Sequence, residues 1–212
     1  MPEDSEGERH LHRPRILLGA TGSVATVKIP RLALLLQEFA DVKIIVTKAS
    51  RAFLDCARDY DRPSYDAWSA LEPPMEVLAD EGEWGMWSKV GDPVQHVQLR
   101  EWADLLLIAP LSANTLGKLA NGLCDNLLTC VARAWDVTKP LIVAPAMNTH
   151  MWSHPLTARH LASLGVLGVT TISPVVKTLA CGDTGTGALA DVADIAAAVR
   201  AALLSDAADG AG

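Results

Sequence analysis

The chain has no Cys-x-x-Cys pair among its four cysteines, Cys56, Cys124, Cys130 and Cys181. A zinc ribbon is therefore not expected, and no metal is assigned. No uninterrupted apolar run of about 18 residues occurs, so no membrane-spanning helix is expected. The amino terminus, MPEDSEGERHLHRP, lacks an apolar stretch. It does not read as a signal peptide, and a reducing, cytoplasmic setting is the default. Cations are the minority: 18 Lys and Arg stand against 25 Asp and Glu, a net charge of −7. A general nucleic-acid or anionic-membrane surface would need clustered Lys and Arg, so neither partner is expected. A small anion remains compatible, because a few local donors can hold a phosphate. No internal repeat, low-complexity tract, Ser-His-Asp spacing or convincing carboxylate pair is present.

What is present is a hydrophobic half. At about 150 residues per domain, 212 residues suggest one domain with extensions. We expect it over residues 14–204, between a disordered tail at 1–13 and a flexible tail at 205–212. Short apolar strands are predicted at 15–19, 43–47, 105–109, 141–144 and 170–172. Helices are predicted at 24–39, 95–102, 113–121, 126–134 and 154–164, with another near 192–203. Residues 58–93 are rich in Pro, Asp, Glu and Trp. They read as an irregular excursion packing through Trp68, Trp84 and Trp87, with MEVLA its one strand candidate. Strands that are apolar throughout are buried on both faces. Alternation with helices then predicts an α/β fold, a three-layer parallel sheet with helices on both faces.

In such sheets ligands bind beyond the carboxyl ends of strands. Four loops qualify. The first, GATGSVA, has neither Gly-x-Gly-x-x-Gly spacing nor a Gly-Lys-Ser/Thr ending. Ser23 can cap the next helix, so the loop is either an anion cradle or an ordinary strand-to-helix turn. The second, TKASRAF, offers Thr47, Lys48 and Ser50, or only a helix start. The third, APLSANTLGK, crowds Ser112, Asn114 and Thr115 after an apolar strand, and capping accounts for one of them. The fourth, PAMNTHMW, places Met147, Asn148 and Met151 around a turn. It reads as an adaptable pocket with one amide anchor, or as a hydrophobic turn on the core.

Two groups can do chemistry. His96 lies four residues after Asp92 and is a candidate base, though a lone His is also commonly structural. Cys181 sits in LACGDTGTGALAD, where Gly182, Gly185 and Gly187 suggest a mobile lid or a plain surface loop.

Taken together, GSVA, VTK, DPVQHVQL, WADLLLIAPLSANTLGKLANGLCDNLLTC, PAMNTHMW and LACGDTGTGALAD resemble the flavin-dependent cysteine decarboxylases over residues 14–200. The likeness is greatest to the branch, including plant halotolerance-type members, that acts on phosphopantothenoylcysteine. The resemblance implies a flavodoxin-like or Rossmann-like fold, FMN as cofactor, and a homotrimer with the flavin near subunit contacts. It implies FMN contacts at Gly22, Ser23, Val24, Ala25, Thr47, Lys48, Ser50, Ser112, Ala113, Asn114, Thr115, Ala146 and Met147. It implies His96 as base, Cys181 as proton donor, and substrate contacts at Asn148, Met151, Lys177 and Ala180. The implied reaction oxidises the substrate thiol to a thioaldehyde, loses carbon dioxide to give an enethiolate, and then reduces it. The product is phosphopantetheine for coenzyme A synthesis. Ala49 stands where the family commonly has Ser, with Ser50 as a neighbouring substitute. Thr178 stands where it commonly has Lys or Arg, with Lys177 beside it. Related readings are a phosphatase-regulating flavoprotein and a peptidyl-cysteine decarboxylase.

Overall fold

The computed structural model describes residues 13–82, 88–178 and 184–209. Six strands form one parallel sheet in the order β3-β2-β1-β4-β5-β6. These are β1 (Arg15–Ala20), β2 (Asp41–Val46), β3 (Val77–Leu78), β4 (Leu105–Leu111), β5 (Leu141–Pro145) and β6 (Thr170–Thr171). The order reverses between β1 and β4, the Rossmann-like rather than the flavodoxin-like arrangement of a doubly wound sheet.

The apolar runs explain the layers. Every residue of β4 is buried, and alternate residues face opposite helices. Ile16, Leu18, Ile44, Leu105, Leu107 and Ile142 pack toward α1 (Ile29–Gln37) and α10 (Val192–Asp209). Leu17, Ile45, Leu106, Ile108 and Val143 pack toward α5 (Gln95–Trp102), α6 (Ala113–Ala120), α7 (Leu127–Arg133) and α9 (Pro155–Val166). Residues far apart in sequence thus share two cores separated by one sheet.

Several expectations are corrected. The helix expected over 24–39 is a 3-10 turn, Val24–Lys28, followed by α1. Pro30 sits in the first turn of α1, where a missing N–H costs no helix bond. The excursion at 58–93 is more regular than expected. It carries α3 (Ala57–Tyr60) and α4 (Arg62–Ser69), and β3 joins the sheet edge at Ile44↔Val77. Asp61 caps α4 through Ser64 N and Ser64 Oγ, at 3.2 and 2.7 Å, and Pro63 follows the cap. A polar composition concealed that start signal. Trp68 packs against the core as expected; Trp84 and Trp87 lie outside the described residues. The fourth loop contains a one-turn helix, α8 (Thr149–Ser153). The glycine-rich segment expected as a mobile lid is built on an antiparallel ribbon, β7 (Val175–Thr178) with β8 (Thr184–Ala188), which includes Gly185 and Gly187. The last helix, α10, runs through Asp209. Its run of Ala and Leu, strong helix formers, extends it.

Candidate cofactor and active site

The crevice at the strand-order reversal is closed at its base by Thr21, a fully buried residue. Its hydroxyl donates to the Pro110 carbonyl at 2.8 Å and accepts from Ser112 N at 2.7 Å. The loops after β1 and β4 are therefore fixed to each other 91 positions apart. A buried hydroxyl satisfied on both sides is a rigid link.

Above this base lies a cleft of about 270 Å³ onto which three helices open. Thr47 caps α2 (Lys48–Asp55), Ser112 caps α6 and Asn126 caps α7, accepting from Ser50 N, Thr115 N and Thr129 N respectively. Lys48, Asn114 and Thr115 add side chains to the wall. Helix amino ends carry unpaired N–H groups and a partial positive charge, so their convergence favours an anion. Gly22 is the close-approach point. A Cβ there would lie 2.8 Å from the Ala49 side chain, so only glycine leaves that wall open. Donors, a cation and a glycine cradle fit a phosphorylated cofactor.

The opposite wall was not assigned from sequence. Asp80 Oδ1 accepts from Leu127 N at 3.0 Å, tying the excursion to α7. Lys118 Nζ grips both Asp125 oxygens at 2.7 and 2.8 Å, which holds the Asp125 carboxyl below its ordinary pKa. Both residues stand in the quoted SANTLGKLANGLCDN stretch, but their convergence with Asp80 has no local pattern.

The expected cofactor residues divide. Thr47, Lys48, Ser112, Asn114, Thr115 and Gly22 line the cleft. Ser23 caps the 3-10 turn through a long bond from Ala25 N, 3.4 Å, and Val24 beside it is 48% exposed. Neither these three nor half-buried Ala113 lines the cleft. The Ser50 hydroxyl is fully buried and donates toward the carbonyls of Ala20 and Thr47, 2.8 Å from each. Ala146 is buried, its N–H donating to Leu111 at 2.9 Å. Met147 is buried and packs with Leu106 and Leu111.

Asn148 has a double use. Its Oδ1 caps α8, accepting from Met151 N at 2.8 Å. That bond fixes the amide orientation and leaves the Nδ2 donors directed elsewhere. Met151 is 50% exposed. His96 lies half-buried in the first turn of α5. That helix feeds β4, so its amino end lies at the ligand-binding end of the sheet. Asp92 closes the preceding turn, its carboxylate accepting from Ser88 N, Ser88 Oγ and Lys89 N at 2.9, 2.7 and 2.9 Å. Those bonds, the Ser88 hydroxyl first, lower its pKa. Lys177 is exposed on β7. Ala180 and Cys181 lie outside the described residues.

Known proteins share this fold. The chain matches the Flavoprotein family over residues 4–204. It is 54% identical over 200 residues to a phosphopantothenoylcysteine decarboxylase of Arabidopsis thaliana, covering 93% of this chain and 89% of that one. A solved "PPC decarboxylase" Cys-to-Ser mutant, complexed with pantothenoylaminoethenethiol, superposes with a TM-score of 0.80 at 54% identity, covering 89% and 97% of the two chains. "The FMN binding protein AtHal3" gives 0.77 at 55%, covering 89% and 95%. A family match across nearly the whole length, with relatives more than half identical, means that this chain belongs to the Flavoprotein family.

Proposed function

We propose that the protein is an FMN-dependent decarboxylase that converts phosphopantothenoylcysteine to phosphopantetheine in coenzyme A synthesis. The observation that carries this is the cleft at the strand-order reversal, where helix amino ends and the Gly22 cradle suit a flavin phosphate, in a chain 54% identical to a named decarboxylase. Bound FMN would supply the two-electron oxidation of the substrate thiol and the matching reduction at the end, so no second redox substrate is consumed.

The chain's own groups do the rest. The α2 and α6 amino ends, with Lys48, hold the cofactor anion. His96 removes a proton as the substrate thiol becomes a thioaldehyde. The Asn148 amide orients the substrate carboxylate. Being neutral, it holds the negative charge back less than an Arg would. With a thiocarbonyl beta to it, the carboxylate leaves as carbon dioxide, and the bond electrons pass into an enethiolate. Cys181 then donates the proton that completes saturation. The enethiol in the complex of the related mutant supports this order.

The cleft lining of one chain includes neither His96, Asn148 nor Met151. Val24 and Met151, about half exposed near this end of the sheet, are apolar surfaces suited to a neighbouring copy. We therefore infer a homotrimer in which the flavin site is completed across subunit contacts. Among the described residues no helix is long and apolar enough to cross a membrane, and the reading places the enzyme in the cytoplasm. A phosphatase-regulating role and a peptide substrate are the rival readings. Incubation with phosphopantothenoylcysteine, with the product's mass measured, tests them together. Loss of one carbon dioxide is expected from yellow, FMN-containing protein; unchanged substrate would overturn the assignment.

Asn148→Asp separates capping from substrate reading. Asp caps helices as well as Asn, so the melting temperature should hold. A carboxylate facing a carboxylate should raise KM by about tenfold or more, the cost of roughly 1.4 kcal/mol of lost binding. Steady-state kinetics beside thermal melting check it. Equal KM values would remove Asn148 from the substrate site.

A further inference from the structure

Three buried side-chain polar atoms have no hydrogen-bond partner among the described residues: Trp68 Nε1, Gln95 Oε1 and Thr149 Oγ1. Buried polar groups are ordinarily paired, so each exception needs a reason. Trp68 packs against the core on the excursion. The other two adjoin the residues proposed for the chemistry: Gln95 stands just before His96, and Thr149 just after Asn148. The Gln95 oxygen faces Gly82 and, as an acceptor, cannot hold a carboxylate. The Thr149 hydroxyl can donate.

Thr149 is the first residue of α8, and its side chain lies against β8 of the ribbon. A Cβ on Gly185 would fall 2.5 Å from Thr149 Oγ1 and 2.8 Å from its Cγ2. The strand can lie this close because position 185 carries no side chain. Met147 N donates to the Gly187 carbonyl at 2.9 Å, so the turn that carries Asn148 and Thr149 is tied to the same strand. The ribbon therefore covers the hydroxyl without bonding it. The neighbouring acceptors are engaged: Asn148 Oδ1 takes Met151 N, and the Asn148 carbonyl takes Trp152 N. With Oδ1 used in capping, Asn148 has only its Nδ2 group to offer a carboxylate. A carboxylate has two oxygens and about four acceptor sites, more than one amide nitrogen can serve.

We propose that the Thr149 hydroxyl is a second donor to the substrate carboxylate, beside the Asn148 amide. The inference rests on the decarboxylase reading and deepens it. Bonds from neutral donors to a carboxylate are weaker than those from a cation. Two of them orient the group and still let it leave as carbon dioxide.

Thr149→Val tests this, because it keeps the branched shape against Gly185 and removes only the hydroxyl. KM for phosphopantothenoylcysteine should rise about tenfold, the usual effect of losing a hydrogen bond to a charged group. Turnover at saturation should stay within about threefold, as when binding common to ground and transition states is lost. Phosphopantetheine, the same molecule without the carboxylate, should inhibit wild type and variant equally. Thr149→Ser, which keeps the hydroxyl, should restore the wild-type KM. The melting temperature of Thr149→Val should rise by about 2–4 °C, because a methyl replaces a buried hydroxyl that has no partner in the fold. Flavin absorbance should not change, since Thr149 does not line the cleft. If Thr149→Val fails to fold, Thr149→Ala, which adds no bulk, carries the same comparison of KM with inhibition. A lower melting temperature in Thr149→Val would reveal a structural partner for the hydroxyl and overturn the inference. An unchanged KM, or equal weakening of substrate and phosphopantetheine, would overturn it too, while leaving the decarboxylase reading intact. Wild-type protein that leaves phosphopantothenoylcysteine unchanged would remove that reading, and the role of Thr149 with it.

Discussion

Replacing His96 with asparagine should reduce carbon dioxide release by about 10³-fold, within the range that a positioned general base contributes. The side chain stands in the first turn of α5, and its neighbours along the helix fix the backbone: Gln95 is 9% exposed and Leu99 4%. Asparagine keeps polarity and approximate size but cannot take up a proton near neutral pH. The helix should therefore stay where it is while the chemistry stops. No residue of α5 lines the cleft, so FMN should remain bound. Carbon dioxide release and the flavin absorbance spectrum, measured on the same preparation, read the two effects separately. A variant retaining more than a tenth of wild-type activity would exclude His96 as the base. One that lost its flavin would show instead that the helix supports the cleft.

Gly187→Ala should be the most damaging change outside the reacting groups. Gly187 has φ of +142°, where a side chain is strained, and a Cβ would fall 2.3 Å from the Met147 carbonyl oxygen. The same glycine accepts from Met147 N at 2.9 Å, so β8 is joined to the segment that delivers Asn148. An added methyl would push ribbon and turn apart and break that bond. Backbone strain of this kind costs about 1–3 kcal/mol, which should appear as a lower melting temperature. Displacing Asn148 by about an ångström should lower kcat/KM on the order of 100-fold. Flavin content should change little, since neither partner lines the cleft. Wild-type kinetics in this variant would mean that the ribbon does not position the substrate amide.

These two residues differ in how well the sequence announced them. His96 could be singled out because imidazole is chemically distinctive and stands in a recognisable local string. In the sequence Gly187 is one of three glycines in a loop, a pattern that suggests mobility. Its actual reason is a contact with a backbone 40 positions earlier, which no local pattern records. The same division runs through the cleft. Thr47, Ser112 and Asn114 follow apolar strands directly, and strand ends in a parallel sheet are where ligands bind. Thr21, a threonine inside a glycine-containing loop, has no signature until Pro110 and Ser112 are placed against it. Asp80 emerged for the same reason, its partner Leu127 lying 47 positions away. Burial of Ser50 and Met147 has no local signature either: one braces two carbonyls and the other fills the core.

What the sequence determined by itself was the layered α/β form and the ends at which its loops gather. Continuous apolar strands must be covered on both faces, and helices spaced between them are the means of covering them. Tertiary structure alone decided which loop groups meet. It set the three helix ends on one cleft and pinned Asn148 to the ribbon through Met147. Periodicity reports which face of an element is buried; proximity between distant elements is fixed only when the sheet order and the packing on its two faces are complete.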